Sequence, residues 1–560
     1  MACRHQHQPT PGEVTRWLRS TQDGRPTRPC FLSGLLWNPR RRRPPRPAGP
    51  SPGTGAKRGA DATHAWHPVW NVYEGRPPVV HLLPVASPRI IWFGRTGREP
   101  YRAGASPEPR HTTTVLRRKG LLSRLKTGRP VHQMTRVGQD FELTVDDVAH
   151  GGWCVGRHGD QVVFVRHALP GERVRVRVTE ETTRFLRGDA VEVLKASPDR
   201  VQAPCPFAGP GRCGGCDWQH AAPEAQRALK GRVVSDQLRR IAGIEREVEV
   251  EELPGTPDGL GWRTRVRFSV DADGRAGLRR HRSHEVEPVD RCLIAHPGVT
   301  ELGVTDVTWE DVRDVEAVAS ASCADRAVVV TPTRAKLGPL PELGTSSAVL
   351  RRFKGGRVQQ VRGRRGVREN ANGREHRVSA GGFWQVHPAA AEVLTAAVLE
   401  ALEPKPGETA LDLYCGAGLF TGALAGAVGP EGRAMGVESG ADAVRDARYN
   451  LKDLEQVRIE RGDVAAQLRE WADVRADVVV LDPPRAGAGA EVVRSLTGTR
   501  PRKVAYVSCD PATLARDLAA FERSAYRLVE LRAFDAFPMT HHVECLAVLE
   551  PVHPARRHRE

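Results

Sequence analysis

The chain has 560 residues, 84 Lys and Arg against 67 Asp and Glu, a net charge of +17 and 39% hydrophobic residues. Its length allows several domains with separate cores, no apolar stretch is long enough to span a membrane, and the N-terminus lacks the apolar run of a secretory signal. Eleven unevenly placed cysteines do not make a disulfide scaffold; in a chain expected to be cytoplasmic they point to a metal site or to catalysis.

The charge is lopsided. Residues 1–133 hold 24 of the Lys and Arg, only 6 of the Asp and Glu, and 19 of the 43 prolines. They carry +18, and the remaining 427 residues carry −1. This segment, typified by "NPRRRRPPRPAGPSPGTGAKRGADA", cannot readily bury enough surface to fold. It reads as a disordered basic extension or as sequence translated from a start assigned ahead of Met134. Neither reading gives it a function, so the basic isoelectric point says nothing about the substrate.

Residues 134–196 show short period-two runs, "FELTVDDV", "DQVVFVRHAL", "ERVRVRVTEE" and "DAVEVLKA", punctuated by glycines. That pattern predicts a small OB-like β-barrel. Such barrels bind nucleic acid, and they serve as often as spacers or protein contacts. Residues 197–376 read as a central α+β domain. Within it "CPFAGPGRCGGCDWQH" supplies Cys205, Cys213 and Cys216, and "VDRCLIAHP" supplies Cys292. Three close thiols and one remote thiol can enclose Zn²⁺ or a cubane iron–sulfur cluster, with Gly211, Gly214 and Gly215 easing the turns. Cys154, Cys323, Cys415 and Cys545 read as packing residues, and Cys3 and Cys30 lie in the N-terminal extension. In "GWRTRVRFSV" the i, i+2 spacing of Arg263, Arg265 and Arg267 sets three cations on one strand face, as a phosphate contact or as a solvated face. "GLRRHRSHE", residues 277–285, is a second basic candidate. The Arg/Gly-rich residues 353–377 read as an exposed loop.

From 377 to 552 strands and helices alternate, with residues 553–560 as a tail. "ETALDLYCGAGLFTGALAGAV" is a strand, a Gly-containing turn and a helix, and "AMGVESGADAVRDARYNL" is a second strand closed by Glu438 before its helix. This is the layout of a doubly wound sheet, whose ligands lie beyond the C-terminal strand ends. Gly416 and Gly418 let the backbone approach a ligand, Glu438 can accept from a ribose diol, and Asp463 in "GDV" faces the adenine side. An apolar strand then runs into Asp482 of "LDPPR". The glycines do not fit the dinucleotide fingerprint, and the set indicates S-adenosylmethionine rather than NAD. Arginine after Asp-Pro-Pro, where amino-group methylation sites carry an aromatic residue, makes carbon the more plausible acceptor.

"VSCDPATLARD" sets Cys509 between a predicted strand and a helix start, the place for a nucleophilic thiol. C5 of uracil is a poor nucleophile until a thiolate adds to C6, and a base must afterwards remove the C5 proton. Glu544, His541 and His542 in "FPMTHHVE" compete for that role, and the residues alone do not separate them.

With these motifs in hand, the chain resembles the RNA 5-methyluridine methyltransferases that act on tRNA or large-subunit rRNA, including their iron–sulfur members, over about residues 136–551. The resemblance implies Cys509 as nucleophile and Glu544 as proton acceptor. It places S-adenosylmethionine against Gln385 of "GGFWQVH", Tyr414, Glu438 and Asp482, and makes the barrel an RNA-binding TRAM domain. It also favours [4Fe-4S] on Cys205, Cys213, Cys216 and Cys292 over zinc, although the first gap holds seven residues where five are usual. Leu419 and His387 stand where the family usually has Asn, which bears on donor geometry. The implied partner is structured RNA, with no membrane and no obligatory protein partner. Two rivals keep the same scaffold: an RNA-binding or assembly protein without turnover, and C5 methylation of cytosine.

Overall fold

The computed structural model describes residues 136–552; the basic N-terminal extension and the tail lie outside the described residues. Five strands form a closed barrel in the order β1-β2-β3-β5-β4: β1 Asp140–Ala149, β2 Trp153–His158, β3 Gln161–Arg166, β4 Arg173–Glu181 and β5 Phe185–Lys195. Its core is one side of the period-two alternation, with Leu143, Val145, Val163, Val165, Val174, Val176 and Leu186 all buried.

The central segment makes a seven-stranded sheet ordered β13-β12-β11-β10-β7-β8-β9. Its strands are β7 Arg265–Val270, β8 Ala276–Arg279, β9 Val286–Pro288, β10 Val312–Ala319, β11 Arg326–Pro332, β12 Ala348–Arg352 and β13 Val358–Arg362. Residues 353–377 are not the expected loop. They complete the β12–β13 hairpin and then form most of a second hairpin, β14 Gly366–Ala371 and β15 Arg374–Ser379. Asn372 and Gly373 take φ of 52° and 69°, the two left-handed positions of a type I′ turn. The Asn-Gly pair carried that signal; the density of arginines obscured it.

The C-terminal sheet has eight strands ordered β18-β17-β16-β19-β20-β22-β21-β6. Thr409–Leu413 (β16), Arg433–Glu438 (β17), Val457–Arg461 (β18), Val478–Leu481 (β19) and Lys503–Ser508 (β20) run parallel, whereas Glu544–Pro551 (β22) is antiparallel between β20 and Tyr526–Asp535 (β21). The chain builds outward on one side of β16 and then on the other, so the crevice above β16 and β19 is a topological switch point. The last strand, β6 (Val250–Glu252), comes from the central segment and pairs with β21. The helix Pro223–Gln237 also leaves the central segment, and Val234 and the following Leu238 share one core with Leu411, Val437 and Tyr506. The central and C-terminal parts therefore fold as one body around this sheet. Among the described residues no helix is long and apolar enough to cross a membrane.

Candidate active site

Lys503–Ser508 is a buried strand, and helix Pro511–Arg523 follows after only two residues. Asp510 is the N-cap, its carboxylate accepting from the Thr513 N–H at 2.9 Å, with Pro511 at the first helical position. Cys509 is thus held half-buried at the C-terminal edge of the sheet, beside a helix N-terminus. Ser508 pairs with Cys545 across β20 and β22. Cys509 follows directly after Ser508 of that pair and Glu544 directly precedes Cys545, and the Glu544 carboxylate is the largest charge acting on the Cys509 thiol. The sheet thereby joins a thiol and a carboxylate that are 35 positions apart in sequence.

The electrostatics couple the same groups. Burial, then the Glu544 carboxylate, pushes the Cys509 thiol up to about 12, while Arg485 pulls it down. Glu544 is 3% exposed; burial and the Asp482 carboxylate raise its pKa, again opposed by Arg485. Asp482, at the end of β19, is raised by burial and by Asp412. The two carboxylates and the thiol form a site short of positive charge, with Arg485 as the opposing cation.

The rival bases are engaged elsewhere. His541 Nδ1 lies 2.6 Å from Asp217 Oδ2, and its backbone N–H donates to the same oxygen. Asp217 also accepts from Arg166 of β3 at 3.3 Å. His542 Nε2 meets Arg485 Nη2 at 3.1 Å. Burial, then His541 and Arg485, push its pKa well down, which keeps the ring neutral. From the barrel, His150 reaches Asp510 at 3.5 Å, a contact the sequence reading did not anticipate.

The residues expected against the methyl donor lie mostly just beyond neighbouring strand ends. Tyr414 follows β16 with φ of 68°, a left-handed conformation rare for a bulky residue. The turn continues through Gly416, φ 55°, where a Cβ would point into open space, and Gly418, φ 89°, where a Cβ would strike Leu451 at 2.8 Å. Glu438, ending β17, accepts from the N–H groups of Gly416 at 3.3 Å and Gly440 at 2.5 Å. Gln385 is buried and makes no side-chain hydrogen bond among the described residues. Asp463 caps helix Val464–Glu470 through the Ala466 N–H at 3.0 Å. An open glycine turn beside an unpartnered amide and a strand-end acid fits an S-adenosylmethionine donor.

The two departures from the family pattern are absorbed by packing. Leu419 lies in a cluster with Trp384, Ala391 and Ala417. His387 accepts the Ala389 N–H on Nδ1 at 3.2 Å, leaving Nε2 as the donor to Thr256 Oγ1 at 2.9 Å. Burial lowers its pKa to about 4, so a neutral ring fills the site as a hydrogen-bonded core residue.

Cys205, Cys213, Cys216 and Cys292 influence one another electrostatically. Charge on Cys205 or Cys292 would raise Cys213, and charge on Cys292 or Cys213 would raise Cys216. Burial is the larger influence on both, and it brings Cys213 to about 11. The Gly215 N–H points at Cys213 Sγ, 3.4 Å away. Even so, among the described residues no three His, Cys, Asp or Glu side chains are grouped so as to hold one metal ion. Of the other cysteines, Cys154, Cys415 and Cys545 are buried and Cys323 is half-buried.

The expected arginine face does not form. Arg265 is buried, donating to the carbonyls of Ala380 at 3.1 Å and Gly382 at 2.9 Å, so it braces the segment leading to Gln385 and offers nothing to phosphate. Arg263 precedes β7 and lies by Trp262. Arg267 is exposed but ion-paired to Glu316 at 3.2 Å. The second basic candidate is neutralised as well, because Arg279, Arg280 and Arg282 all face carboxylates.

Comparison with known proteins agrees with this architecture. Residues 367–552 match the family described as tRNA (Uracil-5-)-methyltransferase, and residues 135–191 match the TRAM domain. An RNA methyltransferase of Streptomyces avermitilis is 54% identical over 428 residues, 74% of this chain and 99% of that protein. One of Streptomyces coelicolor is 55% identical over 428 residues, 74% of this chain and 93% of that protein. Among solved structures, the Pyrococcus abyssi tRNA (uracil-54, C5)-methyltransferase in complex with S-adenosyl-L-homocysteine shares the fold. It has a TM-score of 0.56 and 24% identity, covering 73% of this chain and all of that one. The chain therefore belongs to the S-adenosylmethionine-dependent RNA methyltransferases of the tRNA (uracil-5-)-methyltransferase family, with a TRAM barrel at its N-terminal side.

Proposed function

We propose that the protein methylates C5 of a uridine in structured RNA, rRNA or tRNA, through a transient Cys509–C6 bond. The observation that carries this reading is the cross-strand juxtaposition of Cys509 and Glu544 beside the donor crevice. The Cys509 thiolate adds to C6, and the C5–C6 π electrons move toward O4, making C5 nucleophilic. Bound S-adenosylmethionine supplies the electrophilic methyl group that C5 takes. Glu544 then accepts the C5 proton, the C5–C6 double bond re-forms and the thiolate departs. Arg485 favours the thiolate at the start and the carboxylate at proton removal. Gln385, Tyr414, Gly416, Gly418, Glu438, Asp463 and Asp482 line the donor side. The uridine must leave its stack to enter, at least cost from a loop or single strand.

The test uses RNA carrying 5-fluorouracil, whose C5–F bond cannot be broken by a base. A covalent complex is expected with the native enzyme and absent from Cys509→Ala. Glu544→Gln is expected to form the adduct with ordinary RNA and to release product at least ~100-fold more slowly. Methyl transfer by Cys509→Ala at the native rate excludes the covalent route, and methylated cytosine in place of uridine excludes the acceptor assignment.

For the four thiols the same reading is a [4Fe-4S] cluster. Three close thiols and a remote fourth suit zinc or a cubane, and the family resemblance favours the cubane. The Gly215 N–H is placed to stabilise the Cys213 thiolate. Iron with acid-labile sulfide is expected after anaerobic purification, and stoichiometric zinc without sulfide rules the cluster out.

A further inference from the structure

The expected cationic face on β7 is spent on internal contacts, which leaves open where the RNA backbone is held. In the barrel, Arg173, Arg175, Arg177 and Arg187 each bridge to a carboxylate. One element stands out for the density of its cations. Residues 351–368 carry eight Lys and Arg and no Asp or Glu, in a chain whose charge outside the N-terminal extension is close to zero. Some of these cations are paired, Arg352 with Glu316 and Arg368 with Asp325. Lys354, Arg357 and Arg362 are exposed and have no carboxylate partner among the described residues.

The local structure holds these three cations outward. Gly355 and Gly356, φ 95° and 88°, close the turn between β12 and β13, and Phe353 and Arg357 bond backbone to backbone at 2.9 Å. The Arg351 and Arg357 guanidinium carbons both lie 4.3 Å from the Phe353 ring centroid. Stacking on an aromatic face fixes the guanidinium plane and lowers the entropy lost when its N–H edge binds phosphate. β13 is an edge strand, exposed from Gln359 to Arg362, so nothing in the sheet covers it. Its first residue, Val358, sits where a Cβ on Gly381 would meet it at 2.8 Å. Gly381 begins the segment that ends in Gln385 of the donor site. The hairpin therefore touches the segment that carries Gln385.

We propose that the β12–β13 hairpin is an RNA-backbone clamp, with Lys354, Arg357 and Arg362 binding successive phosphates of the substrate beside the reacting uridine. This deepens the uridine methylation reading and rests on it for the identity of the partner, while its own basis is the uncompensated charge of an exposed edge. Phosphate contacts position without reading sequence, so the hairpin supplies affinity to RNA generally, and site choice lies elsewhere.

The experiment measures binding of the full-length protein to labelled bulk bacterial tRNA and to a labelled oligouridine across a salt series. K354Q/R357Q/R362Q is compared with R239Q/R240Q/R469Q, which removes three carboxylate-paired arginines outside the barrel and the hairpin. Each lost phosphate contact lowers the slope of log affinity against log salt by about 0.7 to 0.9. The hairpin variant is expected to bind both RNAs about tenfold or more weakly, with a slope lower by about two, and the control variant to change little. Ultraviolet crosslinking of native protein to tRNA is expected to label peptides within residues 351–368, which tests the idea without relying on a variant. Unchanged affinity and slope in the hairpin variant, or crosslinks confined to other segments, overturns the clamp. Hairpin-dependent binding by a protein that transfers no methyl group to uridine would instead remove the activity and leave the clamp standing.

Discussion

At the scale of single residues, the proposed covalent route depends on where one proton sits. Cys509 is a poor nucleophile while its pKa is raised to about 12 by burial and by Glu544. In the RNA-free protein the thiolate fraction is small at neutral pH and grows about tenfold per pH unit. Alkylation of Cys509 by iodoacetamide, followed on its peptide by mass spectrometry, is therefore expected to climb steadily from pH 7 to 10; a plateau near pH 9, where an ordinary thiol is half ionised, contradicts the assignment. The direction of two substitutions follows. Glu544→Gln removes a charge that disfavours the thiolate and speeds alkylation, and Arg485→Ala removes one that favours it and slows alkylation. Cys509 and Glu544 stood out in the sequence because each adjoins a short apolar strand beside turn chemistry. Arg265 misled because period-two spacing says which residues share a face, and not whether that face meets water or another layer.

At the scale of elements, the loop from Ala536 to Val543 delivers Glu544 to the sheet, and it is held from the segment that carries the cysteines. The Asp217 and Trp218 N–H groups both donate to the Met539 carbonyl, and the Asp217 side chain holds His541. Gln226 accepts the Met539 N–H at 2.8 Å, and Lys230 binds Asp535 at 2.5 Å and the Phe537 carbonyl at 3.0 Å. Lys230 is fully buried, so Lys230→Met strands the Asp535 carboxylate and is expected to cost about 3–5 kcal/mol of stability, measured by denaturant unfolding. K230M/D535L removes both charges and should recover most of that loss. Asp217→Ala frees His541, and with it the turn before Glu544. Methyl transfer in this variant is expected to lose kcat while the KM for S-adenosylmethionine holds, since no donor-side residue touches that loop among the described contacts. A matched loss in donor affinity would show that Asp217 acts through the crevice instead.

At the scale of the whole molecule, the barrel is not a loose appendage. Val148 and Leu169 of the barrel region pack with Trp218, Leu229 and Val233 on the central segment, and Arg200 reaches back to the buried Glu172 at 2.5 Å. Burying each large apolar side chain contributes about 1.5–3 kcal/mol, enough to link the unfolding of the two bodies. Calorimetry of the full-length protein is expected to show barrel, central sheet and C-terminal sheet melting in one transition, with His150→Ala lowering the barrel's hold on the nucleophile helix without separating it. A distinct early barrel transition argues against this coupling.

The sequence by itself determined the strand–turn–helix units, the doubly wound order, the barrel and the residues that end each strand, because periodicity, glycine turns and caps act over a few neighbouring positions. It could not choose among Glu544, His541 and His542, which lie within four residues of one another; the β20–β22 register, which pairs Ser508 with Cys545, and the engagement of the two histidines by Asp217 and Arg485 favour Glu544 in the proposed role. Nor could it say which arginines are free, since that depends on carboxylates far away in the chain, such as Glu316, 49 positions from Arg267, and Glu180, 102 positions from Arg282. Pairing across sheets and between layers is a long-range matter, and only the tertiary structure decided it.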